Sequence, residues 1–549
     1  MLQQVRENTT HKSLVIKHVS QYAVLWFLFF ALSLYFFLVN TGTAYCANQE
    51  LFLETDNVRI AVSGSKEYLN DWSVYIDSSS DSDDWISLVN HDADGNAISR
   101  HLDITGQSSK GYSWSEISNT CLSYESTTLD GQLSVRSLLR DSEEPYRLFL
   151  EVILENTSSE ILKGFDVKLT LGPGLGERPE EGLGIAENLY SYVEPIISSD
   201  NHVETIPLKA NGEIWKFNLA SRTLDWVGLN SRYFALVLAP IHTPTIKSIE
   251  YGFPEQSHFS HIPLHLLTHL SMCLDVENMK PGEIRKNQFL IFSGSKTPSA
   301  LKCNKNDLSK LLFANQWQWM RLLCFGLLWL LNTIHIFIPN WGVSIILLAM
   351  LVRVLIYPLS KKMMDKQHAY SQFQKIIHPE IQAIKKCYTG EDQSERILAV
   401  YKKYGTSPFA GIIPLVIVVI QIPIFVALFH VLGEAFELRE ASFLWIDTLS
   451  MPDRLFAFGK NLPFIGSYFN LLPFLMALST LLTIKYTPLS EQNSVFLIIM
   501  AVLFLILFYP FPSGMVLYWT MANILQIVQQ FGVIKWSHSI AILRKLGLN

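Results

Sequence analysis

Charge is scarce in this chain. Asp, Glu, Lys and Arg together make up 17% of its 549 residues, against 49% hydrophobic residues. Soluble globular chains carry roughly 25% charged residues, so the composition argues against a protein that is soluble throughout. Basic character is also missing. The formal net charge is −6 and no strongly basic domain stands out, so nothing points to a direct nucleic-acid reader. The six cysteines, Cys46, Cys121, Cys273, Cys303, Cys324 and Cys387, include no pair at CxxC spacing, which argues against a zinc or thiol-redox motif. Gly172, Gly174 and Gly176 lack the GxGxxG spacing and no helical pattern follows them, so they read as a loop rather than a phosphate cradle. No paired-carboxylate or Ser/His/Asp arrangement emerges from spacing, and no cofactor is implied.

What is present is unevenly distributed. Residues 47–310 look like an ordinary soluble segment and residues 320–535 are mostly apolar. A membrane helix needs about 20 apolar residues. Tyr22–Val39 is the first candidate. Arg6, Lys12 and Lys17 precede it, which places the N-terminus on the cytoplasmic side. Gly42-Thr43-Ala44 could pass for a signal-peptidase site, but the long basic leader and near-spanning apolar run favour an uncleaved anchor. The loop 360–406 carries nine Lys or Arg residues against five acids and also belongs in the cytoplasm. The segment between must return through an odd number of crossings, with room for one, assigned to Trp341–Pro358. Asn315–Ile338 is then an interfacial helix on the outer surface, anchored by Trp317, Trp319 and Trp329. Ile412–Leu432, Tyr468–Ile484, Ser494–Tyr509 and Met515–Ile534 complete six crossings. Lys535, Arg544 and Lys545 hold the C-terminus inside.

Between the first two crossings the periodicity is two. Phe165–Leu171 alternates strictly between apolar and polar residues. Leu148, Leu150, Val152 and Leu154 repeat the pattern, as do Trp215, Phe217 and Leu219. With turn clusters such as Asp92-Ala93-Asp94-Gly95 between them, these runs predict an antiparallel β-sandwich. His258, His261, His265 and His269 would share a helix face, but Pro263 argues against a helix. On a strand, residues four apart lie about 13 Å from one another, too far to share a metal ion. Four cysteines (Cys46, Cys121, Cys273 and Cys303) fall in this outer region, where their pairing is open.

Within the spans, Arg353 stands out. It lies about 18 Å of helix rise from Trp341, and a central arginine costs about 2.5–3.5 kcal/mol to insert. Snorkelling to the inner headgroups is one reading; facing a hydrated cavity is the other. Trp519, Asn523, Gln526 and Gln530 share one face of the last helix. Gln421, Ser479, Thr480 and Thr483 add polar groups on neighbouring spans. Hydrogen bonding between helices would explain these residues too. The loop 360–406 reads as a helical hairpin, Met363–Lys386 and Asp392–Tyr404, broken at Tyr388-Thr389-Gly390, with Pro379 as a kink candidate.

These residues resemble the YidC/Oxa1/Alb3 membrane insertases. The match runs from Asn340-Trp341-Gly342 and Ser344-Ile345-Ile346 through Val352-Arg353 and Tyr357-Pro358-Leu359. It continues with Pro408, Pro414, Gln421-Ile422-Pro423-Ile424-Phe425 and Glu437-Leu438-Arg439. It ends at Phe511-Pro512-Ser513-Gly514, Val516-Leu517-Tyr518, Asn523 and Gln529-Gln530. Trp226-Val227 and Tyr233-Phe234-Ala235 resemble the Gram-negative type more weakly. The resemblance implies a membrane α-helical bundle of six transmembrane helices with a five-helix insertase core, plus a periplasmic antiparallel β-sandwich. The segments are 1–40 (N-terminus and first span), 41–314 (sandwich), 315–338 (interfacial helix), 339–535 (core) and 536–549 (cytoplasmic tail). It further implies a non-enzymatic insertase and chaperone of a bacterial inner membrane, acting with or without the Sec translocon. Its partners would be nascent membrane proteins, the ribosome and the lipid bilayer. The expected substrate groove holds Arg353, Ala349, Gln421, Tyr518, Trp519, Asn523 and Gln526. Arg353 would attract acidic residues of an incoming chain, and clients would slide along the apolar helices beginning near Ile412 and Ser494. Ala349 stands where family members carry threonine, and Trp519 where tyrosine is frequent. The short C-terminal tail argues against strong ribosome binding through it. Two other classes remain open: a channel or transporter using Arg353, for which no inverted repeat is visible, and a membrane-anchored sugar-active enzyme. Conductance would separate the first, and deletion of residues 50–300 the second.

Overall fold

The computed structural model describes residues 58–545 apart from 63–67, 76–84, 88–98, 101, 105–109, 119–120, 129–130, 143, 173, 176–190, 207–214, 218, 220–222, 243–244, 254–265, 303–307, 315, 406–412, 463–464 and 487–490. The first span (Tyr22–Val39) and the Gly42-Thr43-Ala44 motif lie outside the described residues.

The alternating runs are strands of two facing antiparallel sheets. A nine-stranded sheet runs, edge to edge, through His202–Thr205, Val193–Ser199, Leu224–Ser231, Phe234–Pro240, Ile284–Ser295, Arg147–Asn156, Leu133–Asp141, Cys121–Thr128 and Lys110–Ser118. A five-stranded sheet runs Trp215–Phe217, Ile246–Gly252, His269–Val276, Phe165–Leu171 and Leu102–Ile104. A four-stranded sheet begins at Val58–Val62. Strands Arg147–Asn156 and Phe165–Leu171 match the alternation read from sequence. Leu148, Leu150, Val152 and Leu154 from the first sheet and Val167, Leu169 and Leu171 from the second enter one core, with Val227, Leu229 and Met272. Each fully buried aliphatic side chain there contributes about 1.5–3 kcal/mol of transfer free energy.

One charge cluster spans the strands of the five-stranded sheet. Glu250, 5% exposed, pairs with Lys168 at 2.7 Å and Lys216 at 2.5 Å. Burial pushes its carboxyl up, but the hydrogen bonds and charges of the two lysines outweigh burial and leave it below the usual carboxylate range. A carboxyl depressed in the folded state contributes stability above its unfolded pKa and loses it as pH falls through the folded value. Thermal unfolding of the full chain is therefore expected to show an acid-side loss of stability below the ordinary carboxylate range. Glu250→Gln should flatten that loss; an unchanged slope in the variant would assign it to other groups.

Gly172 serves packing. Gly172 adopts φ +94°, and a Cβ there would lie 2.8 Å from the Thr268 carbonyl oxygen and 3.0 Å from Leu229. Cys121, Cys273, Cys324 and Cys387 are free thiols; Cys46 and Cys303 lie outside the described residues. His269 opens a strand, while His258, His261 and His265 lie outside the described residues. Among the described residues no three His, Cys, Asp or Glu groups converge as metal ligands.

Seven helices longer than ten residues follow: α1 Gln318–Phe337, α2 Trp341–Cys387, α3 Gly390–Lys403, α4 Ile413–Glu434, α5 Leu472–Tyr486, α6 Glu491–Phe508 and α7 Ser513–Lys545. By length and composition, Gln318–Phe337 and Trp341–Lys362 are apolar enough to cross a membrane. Helix α1 buries Met320, Cys324, Leu327, Leu328 and Leu331 and exposes Trp319, Leu322, Trp329 and Ile336. Pro339 disfavours helix at the residue before it, which separates α1 from α2. Asn340 then caps α2, its Oδ1 accepting from the Val343 N–H at 3.0 Å, a contact worth about 1 kcal/mol.

Several boundaries differ from those read in the sequence. Helix α2 is continuous through Pro358 and Pro379 to Cys387, so the span and the first arm of the hairpin are one helix. It ends at Cys387, just before the expected break, and α3 starts at Gly390, two residues ahead of the expected Asp392. The arms pack through Ile377, Ile381 and Val400, and Lys403 pairs with Glu380 at 3.0 Å. The span placed at Tyr468 instead begins at Leu472, because Gly466–Phe469 pairs as a strand with Phe456–Leu462. Helix α7 also runs past Ile534 to Lys545, so most of the expected tail is helical.

The loop between α4 and α5 packs at the bundle end that adjoins the sandwich. Asp453, 2% exposed, accepts at one oxygen, Oδ2, from Trp445 Nε1 at 3.0 Å, Leu471 N–H at 2.8 Å and Leu472 N–H at 3.0 Å. It thereby starts α5 by satisfying N–H groups that a helix leaves unpaired. The N–H groups of Ser513 and Gly514 donate to Met451 and Leu449, each at 2.8 Å, tying α7 to the same loop. Gly342 lets Phe443 lie on α2, since a Cβ would sit 2.1 Å from its ring. From the sandwich, buried Arg232 donates to the carbonyls of Gly433 and Ser450, both at 2.7 Å. Phe436 packs edge-on against Tyr233 and Phe234.

Candidate functional site

Helix α7 places its polar side chains against three neighbours. Towards α2, Arg353 Nε donates to Gln529 Oε1 at 3.1 Å. Towards α5, Asn523 Nδ2 donates to Ser479 Oγ at 3.1 Å and Thr480 Oγ1 at 2.8 Å. Towards α4 and α6, Trp519 meets Phe425 and Phe508 with ring centroids 5.2 and 5.4 Å apart. Residues on one helix can do this because each step turns about 100°. Asn523 lies nearly above Trp519, while Gln529 lies about a quarter turn away.

The expected groove residues therefore part company. Ala349 and Tyr518 are buried, at 1% and 3% exposure. Asn523 forms the interhelical hydrogen bonds that are the structural alternative for such residues, and Trp519 belongs to an aromatic cluster. Gln421, Gln526 and Arg353 are half-buried. The Gln530 side chain lies outside the described residues. Gln529 was not among the groove candidates, yet it is the residue that holds Arg353. It sits three turns from Tyr518 on the same face, a spacing visible in the sequence.

Electrostatically, Arg353 is uncompensated. Its hydrogen-bond partner is a neutral amide, and among the described residues no carboxylate lies within ion-pair distance of it. It sits in Trp341–Lys362, a stretch long and apolar enough to span. A guanidinium in that setting has five donor hydrogens and only one described bond. Chemically the site can attract an anion or acceptor. It offers no nucleophile–base pair.

Residues 333–539 match the family model described as 60Kd inner membrane protein. A membrane protein insertase YidC from Syntrophobacter fumaroxidans is 28% identical over 424 residues, covering 74% of this chain and 70% of the relative. One from Pelobacter propionicus is 29% identical over 412 residues, covering 73% and 69%. One from Janthinobacterium is 31% identical over 262 residues, covering 46% and 44%. A solved structure described as an active YidC insertase with the first transmembrane domain resolved is 19% identical, covers 88% of this chain and 96% of its own, and has a TM-score of 0.33. Residues 333–539 therefore carry a 60Kd inner membrane protein (YidC/Oxa1) domain, and the chain is similar over much of its length to membrane protein insertases YidC.

Proposed function

We propose that this protein inserts integral membrane proteins into a bacterial inner membrane and helps them fold, with or without the Sec translocon. In this reading both termini are cytoplasmic, the sandwich is periplasmic, α1 lies on the outer membrane surface, and α2, α4, α5, α6 and α7 form the core. The ribosome and the nascent chain approach the cytoplasmic side. The observation that carries the reading is Arg353: a cation on a membrane-length apolar helix, held by the neutral Gln529. Keeping such a charge costs free energy, and the cost is offset when the site receives acidic residues of a client. A hydrated groove beside it would shorten the apolar path that a client's polar backbone must cross. The loop sealed by Asp453 closes the opposite end to water.

The test is a photo-crosslinking residue at Gln526, which is half-buried and so tolerates the probe, during ribosomal synthesis of a short single-span membrane protein. Crosslinks to that client, absent with a soluble nascent chain, are expected. Equal labelling of the soluble chain, or silence at Gln526 while lipid-facing Ile506 reacts, would contradict the groove.

A further inference from the structure

A second polar site lies at the junction between the sandwich and helix α1. Where the edge strand His202–Thr205 meets the start of α1, a cleft of ≈ 880 Å³ opens, lined among others by Asn201, Glu204, Lys310, Gln316, Trp317 and Arg321. Among the described residues, neither of its two cations has a carboxylate partner. Arg321 donates to the Lys310 carbonyl oxygen at 3.2 Å, and Lys310 Nζ donates to the Asn201 carbonyl at 3.1 Å and to its side-chain oxygen. Arg321 Nε is buried with no hydrogen-bond partner among the described residues. Glu204 is the sole acid among the lining residues, and it sits 3.7 Å from His202. Trp317, at the helix N-cap, supplies no side-chain cap, so the first-turn N–H groups add to the positive potential.

The surroundings indicate where the anion comes from. Trp317 is 73% exposed and Trp319 51% exposed, with ring centroids 6.1 Å apart. Beyond them the exposed face of α1 continues through Leu322, Trp329, Ile336 and Phe337. Paired tryptophans beside a long apolar face mark the headgroup level of a bilayer. We propose that this cleft binds the phosphate of an anionic phospholipid headgroup in the outer leaflet, with the acyl chains along the exposed face of α1. The inference rests on the topology proposed above. The lipid would fix the junction between sandwich and helix, because Lys310 touches the former through Asn201 and Arg321 starts the latter.

The experiment uses full-length protein in detergent micelles, with native mass spectrometry counting retained lipid. At equal concentration, phosphatidylglycerol is expected to be retained about tenfold more strongly than phosphatidylcholine, as charge-assisted bidentate contacts allow. Lys310→Gln with Arg321→Gln should abolish the preference, and Glu204→Gln should increase it. The gain in Glu204→Gln keeps the proposal testable if the double variant fails to fold. Equal retention of the two lipids by the wild type, an undiminished preference in a folded double variant, or displacement of the lipid by millimolar inorganic phosphate would each overturn it. Absence of the preference in a wild type that still inserts clients would defeat this inference alone. Labelling of Trp319→Cys from the cytoplasmic side would defeat the topology beneath it.

Discussion

Replacing Arg353 with alanine is expected to lower insertion of a single-span client with an acidic outer segment by about tenfold to a hundredfold. Two unit charges 4 Å apart at an effective dielectric near 20 attract with about 4 kcal/mol, and hydration of a groove reduces the usable part to roughly 1.4–2.8 kcal/mol. Arg353→Lys should retain most of the activity, since the attraction is to a charge and not to a fixed fork. A client whose outer acids are replaced by neutral residues should insert equally into wild type and variant. Protease protection of the client reports the outcome. Folding should be spared: the lost bond to Gln529 costs about 0.5–1.5 kcal/mol, and removing a charge from an apolar span returns about as much or more. Equal loss of insertion for acidic and neutral clients would show that Arg353 does not act through charge.

Replacing Asp453 with alanine should have the largest effect on stability. One carboxylate oxygen receives Trp445, Leu471 and Leu472. Each buried donor left without an acceptor costs about 1–3 kcal/mol, so the variant is expected to lose about 3 kcal/mol or more. Asp453→Asn keeps one side-chain carbonyl acceptor and should lose roughly half as much. Thermal unfolding in micelles measures both. A midpoint unchanged in Asp453→Ala would mean that water replaces the carboxylate and that the bundle end is not closed. If the end is closed as described, the alanine variant should also admit a thiol reagent to Leu449→Cys that the wild type excludes.

Much of the fold is legible in local pattern. Strict alternation in Phe165–Leu171 and in Leu148, Leu150, Val152 and Leu154 locates strands because a strand turns its side chains over at every residue. Asn340 followed by an apolar run starts α2, since a side-chain cap and a preceding proline act within a few residues. The tyrosine–threonine–glycine break at Tyr388 ends α2 for the same reason. Other boundaries were not legible. Tyr468 reads as the start of an apolar span. It is instead a strand residue whose carbonyl accepts from Tyr509 Oη at 2.9 Å, a partner supplied from the end of α6. Pro358 and Pro379 look like interruptions, yet α2 continues through both.

The candidate site divides along the same line. Sequence alone determined that a charged residue, Arg353, lies within a spanning-length apolar segment, and that Trp519, Asn523 and Gln526 share a face. Both conclusions follow from hydropathy and the helix repeat. Only the tertiary structure decided what each residue touches. It gave Arg353 to Gln529, Asn523 to Ser479 and Thr480, and Trp519 to Phe425 and Phe508. It also drew Arg232 from the sandwich onto Gly433 and Ser450, some two hundred residues away. The physical reason is that a helix repeat specifies direction about one axis. Which neighbour waits in that direction depends on how the helices and sheets pack together, and that packing is settled by contacts between residues far apart in the chain.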